Sequence, residues 1–196
     1  MPASKALVTA HDLREHFHEA VNSAVAQHQL PLSAASSQYL GDLLADFSST
    51  GRLFAGAGDS RGLPPLADLY AEAHAASQPR ERQRALRQLG DVALMVAGVF
   101  SEYLKRRLVD IDYYVAMGGS AYAHLAGCSA EVYRELSEKF VCCMDALGEA
   151  CASHAANTDV LRDYEVWLRT GSARHARRLA LHGIPVSAHA THLRLH

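Results

Sequence analysis

Apolar residues recur along this chain every three to four positions, the period of an amphipathic helix. In HDLREHFHEAVNSAVAQHQ, Leu13, Phe17, Ala20, Val21 and Ala24 share one stripe. Pro31 closes that helix. Ser33 is placed to cap the next, in which Leu40, Leu43, Leu44 and Phe47 fall at i, i+3, i+4 and i+7. The stretch from Ser48 to Pro65 breaks the pattern with three glycines in eight residues and then paired prolines, which predicts a long connector or a lid. Pro65 suits the first turn of a short helix carrying Leu66, Leu69, Tyr70 and Ala73.

Two segments are apolar round most of their circumference and should be surrounded by other helices. The first is SQPRERQRALRQLGDVALMVAGVFSEYLKRRL, with Ser77 as cap, Pro79 in the first turn and a continuous apolar surface from Leu89 to Phe100. The second is VDIDYYVAMGGSAYAH. Its residues Ile111, Tyr114, Val115, Gly118, Tyr122 and Leu125 form one stripe, and Tyr113, Met117, Ala121, His124 and Cys128 form its neighbour. Asp110 and Asp112 suit the helix start, where free amides favour carboxylates. A glycine inside a helix costs about 1 kcal/mol against alanine. Gly118 and Gly119 therefore predict a close helix contact or room for a ligand.

Ser129 is placed to cap AEVYRELSEKFVCCMDALGEACASHA. There Leu136, Phe140, Cys143, Met144 and Leu147 point inward, and Glu131, Glu135, Glu138 and Asp145 point outward. DVLRDYEVWLRT and GSARHARRLALHG follow, capped by Thr158 and Ser172, and the last stops at Gly183 before Pro185. No strand pattern and no repeat is present. The expected fold is all-α: a single-domain helical bundle of about seven helices over residues 1–184. Two buried central helices, near 85–105 and 111–127, form its middle, and a flexible histidine-rich tail covers 185–196.

Composition narrows the class. The 196 residues are 49% hydrophobic and 20% charged, the balance of a soluble globular protein. A net charge of −2 produces no field that draws the chain to nucleic acid or membrane. The longest apolar run, VALMVAGVF, falls short of the roughly 20 residues a spanning helix needs. The N-terminal stretch carries no secretory pattern, and the four cysteines match no zinc spacing. A cytoplasmic protein with reduced thiols is expected. Twelve histidines are the one oddity, and they fit metal binding or proton sensing.

Three constellations could carry chemistry. Asp91, Glu102, Asp112 and His124 come from the central helices and are the residue types of a metal site in a bundle. Only Glu15 and His18 show the Glu-x-x-His spacing of carboxylate-bridged di-metal helices. Alternatively, Asp91, Asp112, Tyr113, Tyr122 and His124 could line a small-molecule pocket, with flat tyrosine rings and volume left by the glycines. Finally, Arg169, Arg174, Arg177 and Arg178 suit contact with a protein partner or a small anionic ligand, because guanidinium matches carboxylate and phosphate. No phosphate loop, zinc finger or helix-turn-helix is present, so nucleic acid is disfavoured. Gly-x-Ser-x-Gly is absent, and no catalytic set is complete.

The expectation is a cytoplasmic, non-catalytic regulatory or interaction protein that holds a small ligand between its central helices. A homo-oligomer is compatible with this pattern. The competing expectation is a helical-bundle metalloprotein or metalloenzyme, in which three or more of Asp91, Glu102, Asp112 and His124 converge.

Overall fold

A computed structural model describes residues 10–49, 65–100, 110–127, 131–152, 160–184 and 186. They form nine helices and no strand: α1 (Ala10–Gln27), α2 (Ala34–Ser49), α3 (Leu66–Ala75), α4 (Pro79–Gly98), α5 (Ile111–Ala126), α6 (Glu131–Glu138), α7 (Phe140–Ala150), α8 (Val160–Thr170) and α9 (Ala173–Leu181). The connector over 50–64, Glu102, Cys128, the caps Ser129 and Thr158 and nearly all of the tail lie outside the described residues.

The all-α expectation holds, with nine described helices where the periodicity suggested about seven. One reason is local. The helix expected after Ser129 is divided at Lys139, whose backbone leaves helical geometry at φ −116° and ψ 32°. The Lys139 ammonium donates across to the Pro31 carbonyl at 2.5 Å and to Glu135 at 2.8 Å. The first central helix also ends earlier than expected, at Gly98, where the Phe100 amide bonds back to Met95.

Caps follow the sequence in part. Ser33 accepts from the Ser36 amide, and Ser172 accepts from the His175 amide. Gly183 adopts the left-handed φ of +76° that ends α9. Ser77 is not the cap of α4; Gln78 is, because the residue before a proline is pushed to extended geometry, here ψ 135°. Asp110 occupies the cap position of α5, where its carbonyl accepts from the Tyr113 amide but its side chain caps none, and both Asp110 and Asp112 turn to Arg169.

The core forms around α4. From Leu89 to Gly98 every residue except Asp91 is buried. α5 packs along it on one side, with α3 and α7 on others, while α1 pairs with α2 and α8 with α9. Small residues set the α4–α5 approach. A Cβ on Gly90 would stand 2.6 Å from the Tyr122 ring. One on Gly118 would stand 2.5 Å from Phe140 and 2.8 Å from the Ala93 methyl.

The second central helix is less enclosed than expected. Ile111, Gly118, Tyr122 and Leu125 face the core, but Tyr113 and His124 are exposed. On the neighbouring stripe, Met117, Ala121 and His124 border a cavity shared with α3 and α4. No helix among the described residues is long and apolar enough to cross a membrane.

Candidate functional site

The sequence-selected residues separate into three places. Asp91 and Tyr122 do come together. The Asp91 side chain, 16% exposed, accepts hydrogen bonds at one oxygen from the Tyr39 hydroxyl at 2.5 Å and the Tyr122 hydroxyl at 2.8 Å. Arg87, one turn earlier on α4, lies 3.6 Å from its other oxygen and over the Tyr39 ring. Tyr133 stacks on Tyr122, which closes an aromatic collar around the carboxylate. Burial raises the Asp91 carboxyl above its usual range, against the opposing pull of both hydroxyls and Arg87. Burial likewise pushes the Tyr39 and Tyr122 hydroxyls up, so both remain donors.

Asp112 and Tyr113 lie elsewhere, at the exposed start of α5. Arg169 holds Asp110 at 2.6 Å and Asp112 at 3.6 Å, joining that start to α8. His124 sits twelve residues beyond Asp112, about 18 Å along the helix axis at 1.5 Å per residue. Asp91, Asp112 and His124 therefore do not converge, and Glu102 lies outside the described residues. Among those described, no three His, Cys, Asp or Glu side chains gather as metal ligands.

The arginines offered to a partner are engaged within the chain. Besides Arg169, Arg174 reaches Glu149 at 3.3 Å and donates to the Gly148 carbonyl at 3.0 Å. Arg177 pairs with Glu149 and Arg178 with Asp163.

Around them is a polar core that periodicity alone misplaces. Asp145, expected to face outward, is 1% exposed. It accepts from the Ser172 hydroxyl at 2.5 Å and from the Arg174 amide at 3.0 Å. With its hydroxyl proton given to Asp145, Ser172 accepts at 2.7 Å from His175 Nδ1, which fixes the tautomer of that ring. The other ring nitrogen faces Asp163 at 3.8 Å. Serine, histidine and aspartate in series resemble a hydrolytic triad on paper. All four residues here are buried, and Ser172 caps a helix, so the chain of bonds fastens α9 to α7 and α8.

The open site lies between α3, α4 and α5. A cavity of about 160 Å³ is lined by Tyr70 and His74 of α3, Arg82 and Leu86 of α4, and Met117 and His124 of α5. It adjoins a second of about 380 Å³ at the start of α4, with Arg82, Leu86 and His124 common to both. Leu89, Ala121 and Leu125 complete an apolar floor. Tyr70 and His74 lie one helical turn apart with ring centroids 4.4 Å from each other. Of the five sequence-selected ligand residues, only His124 lines this cleft, where Ser120 holds its ring through a 2.8 Å contact to the backbone oxygen. Sequence reasoning passed over Tyr70, His74 and Arg82. The signal available was the second stripe of α5, whose Met117, Ala121 and His124 needed a partner surface.

No protein-family model matches the chain, and no curated protein or solved structure does.

Proposed function

We propose that the protein is a non-catalytic, cytoplasmic regulatory protein that holds a small ligand in the cleft between its central helices, α4 and α5, with α3 as the outer wall. One observation carries this reading: two adjoining cavities share residues, an apolar floor and a polar rim. Concave apolar space with a few convergent polar groups is the common form of a small-molecule site. The tight polar clusters at Asp91 and Ser172 support it indirectly, because their hydrogen bonds bind helix to helix.

The test is saturable binding of the neutral fluorescent probe N-phenylnaphthylamine to the full chain. Ser120 is exposed and lines the cleft, so Ser120→Trp should fill the space while leaving the core intact. The reading expects single-site binding in the parent and its loss in the tryptophan variant. If the parent does not bind the probe, or the variant binds it equally, the cleft is not the site.

A further inference from the structure

We infer that the cleft selects organic anions, a carboxylate or phosphate carried on a flat apolar body, with Arg82 as the anion-holding residue. This inference rests on the cleft reading above and adds the chemical class of the ligand. Among the described residues, the charged and titratable groups that line the space are Arg82, His74, His124 and the Tyr70 phenol. Among the described residues, no carboxylate lines either cavity.

Elsewhere several arginines are neutralised within the chain. Arg14, Arg87, Arg169, Arg174 and Arg178 all pair with acids of the same chain. Arg82, like Arg80, Arg84 and Arg134, forms no ion pair among the described residues, and of these four it is the one that borders both cavities. A guanidinium presents a planar set of donors that grips two oxygens of one anion, and such charge-assisted bonds are stronger than neutral ones. At the edge of a low-dielectric floor the attraction is screened less than on an open surface.

The floor decides the remainder of the ligand. A bare inorganic anion would cover Arg82 and leave the half-buried Leu86 and Met117 against water. An apolar body behind the anionic group removes that surface from water, at roughly 25 cal/mol per Å². The Tyr70 and His74 rings offer faces on the outer wall for a flat group.

A matched pair of probes separates the two claims. Anilinonaphthalene sulfonate carries an anionic group on the skeleton that N-phenylnaphthylamine presents without charge. Arg82 is exposed, so Arg82→Gln removes the cation without opening the core. The expected result is that Arg82→Gln weakens the sulfonate about tenfold or more and leaves the neutral probe unchanged. Retention of the neutral probe also reports that the variant is folded. If Arg82→Gln binds both probes like the parent, and Ser120→Trp still excludes both, the anion assignment is overturned while the cleft stands. If Ser120→Trp excludes neither probe, or the parent binds neither, the cleft and the anion assignment fall together.

Discussion

The Tyr122 hydroxyl donates a 2.8 Å hydrogen bond to Asp91, tying the centre of α5 to the only polar residue in the buried part of α4. The bond shares its acceptor oxygen with Tyr39 of α2, so one carboxylate joins three helices. The Tyr122 ring fits because Gly90 has no side chain to meet it.

This arrangement has a pH signature. Burial raises the folded-state pKa of Asp91 while Tyr39, Tyr122 and Arg87 pull it down; Tyr133 and Asp46 are the other titratable groups nearby. A carboxyl with a higher pKa folded than unfolded favours folding most when protonated. Its contribution falls as pH rises from the unfolded carboxyl range, about 4, through the raised folded value. Asp91→Asn keeps an acceptor oxygen and cannot ionise. Its melting temperature relative to the parent should climb across that interval and then level off. Equal differences at low and neutral pH would refute the account. Asp91→Ala leaves two hydroxyls without their acceptor and should cost about 3 kcal/mol in urea unfolding.

Gly118 and Gly119 make a sharper pair. Both sit in the middle of α5, and helix propensity alone favours alanine at each by about 1 kcal/mol. A Cβ at Gly119 meets only the Ser137 carbonyl at 3.8 Å, an ordinary contact, whereas one at Gly118 drives into the Phe140 ring and Ala93. Gly119→Ala should therefore stabilise the protein by about 0.5–1 kcal/mol. Gly118→Ala should destabilise it by about 1–3 kcal/mol through overpacking, and Gly118→Leu by more. Urea midpoints of the variants decide it. Matching shifts for the two alanine variants would mean that propensity, and not the approach of α6–α7 and α4, governs this turn.

Much of the architecture was legible because helical period is a local signal. The Leu40–Phe47 stripe and the Ser172 cap come from residues within two turns of each other, and the Gly118–Gly119 pair signals a close approach without naming its partners, Phe140 and Ala93. What local pattern does not carry is the identity of a distant partner. Asp145 falls on the outward side by period, yet it is buried by a serine 27 positions away. Asp91 and Tyr122 were both chemically conspicuous, but their 31-residue separation hid the bond between them. Arg82 sits in a run of exposed arginines and reads as a solvated first turn. Only the position of α3 beside it, which no periodicity encodes, turns that arginine into the wall of a cleft.

Glu135 offers a test of capping supplied by another helix. Its carboxylate accepts from the Ser33 amide at 3.1 Å and from the Ser33 and Ser36 hydroxyls, both at 2.5 Å, at the start of α2. Burial alone would raise its pKa, but bonds from Lys139, Ser33 and Ser36 outweigh that and bring it down to about 2. A depressed folded pKa stabilises above the unfolded value and loses that contribution as pH falls through the folded one. The window therefore runs from about 4.5 to about 2. The site borders solvent, which limits the size of the effect. Glu135→Gln should melt below the parent at pH 6 and approach it near the bottom of the window. Glu135→Ala should cost about 1 kcal/mol at neutral pH, as loss of a helix cap does. A parent–glutamine difference that does not change with pH would show that the charge is immaterial.

The α9 attachment predicts an acid sensitivity of its own. Ser172 serves Asp145 as donor and both the His175 amide and ring as acceptor, so Ser172→Ala removes a cap and leaves a buried carboxylate short of a partner. A loss of about 3 kcal/mol is expected. His175 is held neutral: burial first, then the positive charges of Arg174, Arg178 and Arg162, push its pKa down to about 3. Asp163 at 3.8 Å opposes them, and Asp145 lies beyond the shared serine. A base with a depressed folded pKa stabilises the fold above its unfolded value and loses that contribution as pH falls. The window is the interval from about 6.5 down to about 3. The parent should lose stability across it with a slope approaching about 1.4 kcal/mol per pH unit from this one proton. His175→Gln, which can still donate to Ser172, should lose that component and hold its melting temperature better between pH 6 and pH 4. If the two proteins decline in parallel, Asp163 governs the imidazole instead, and His175 takes up its proton without releasing α9.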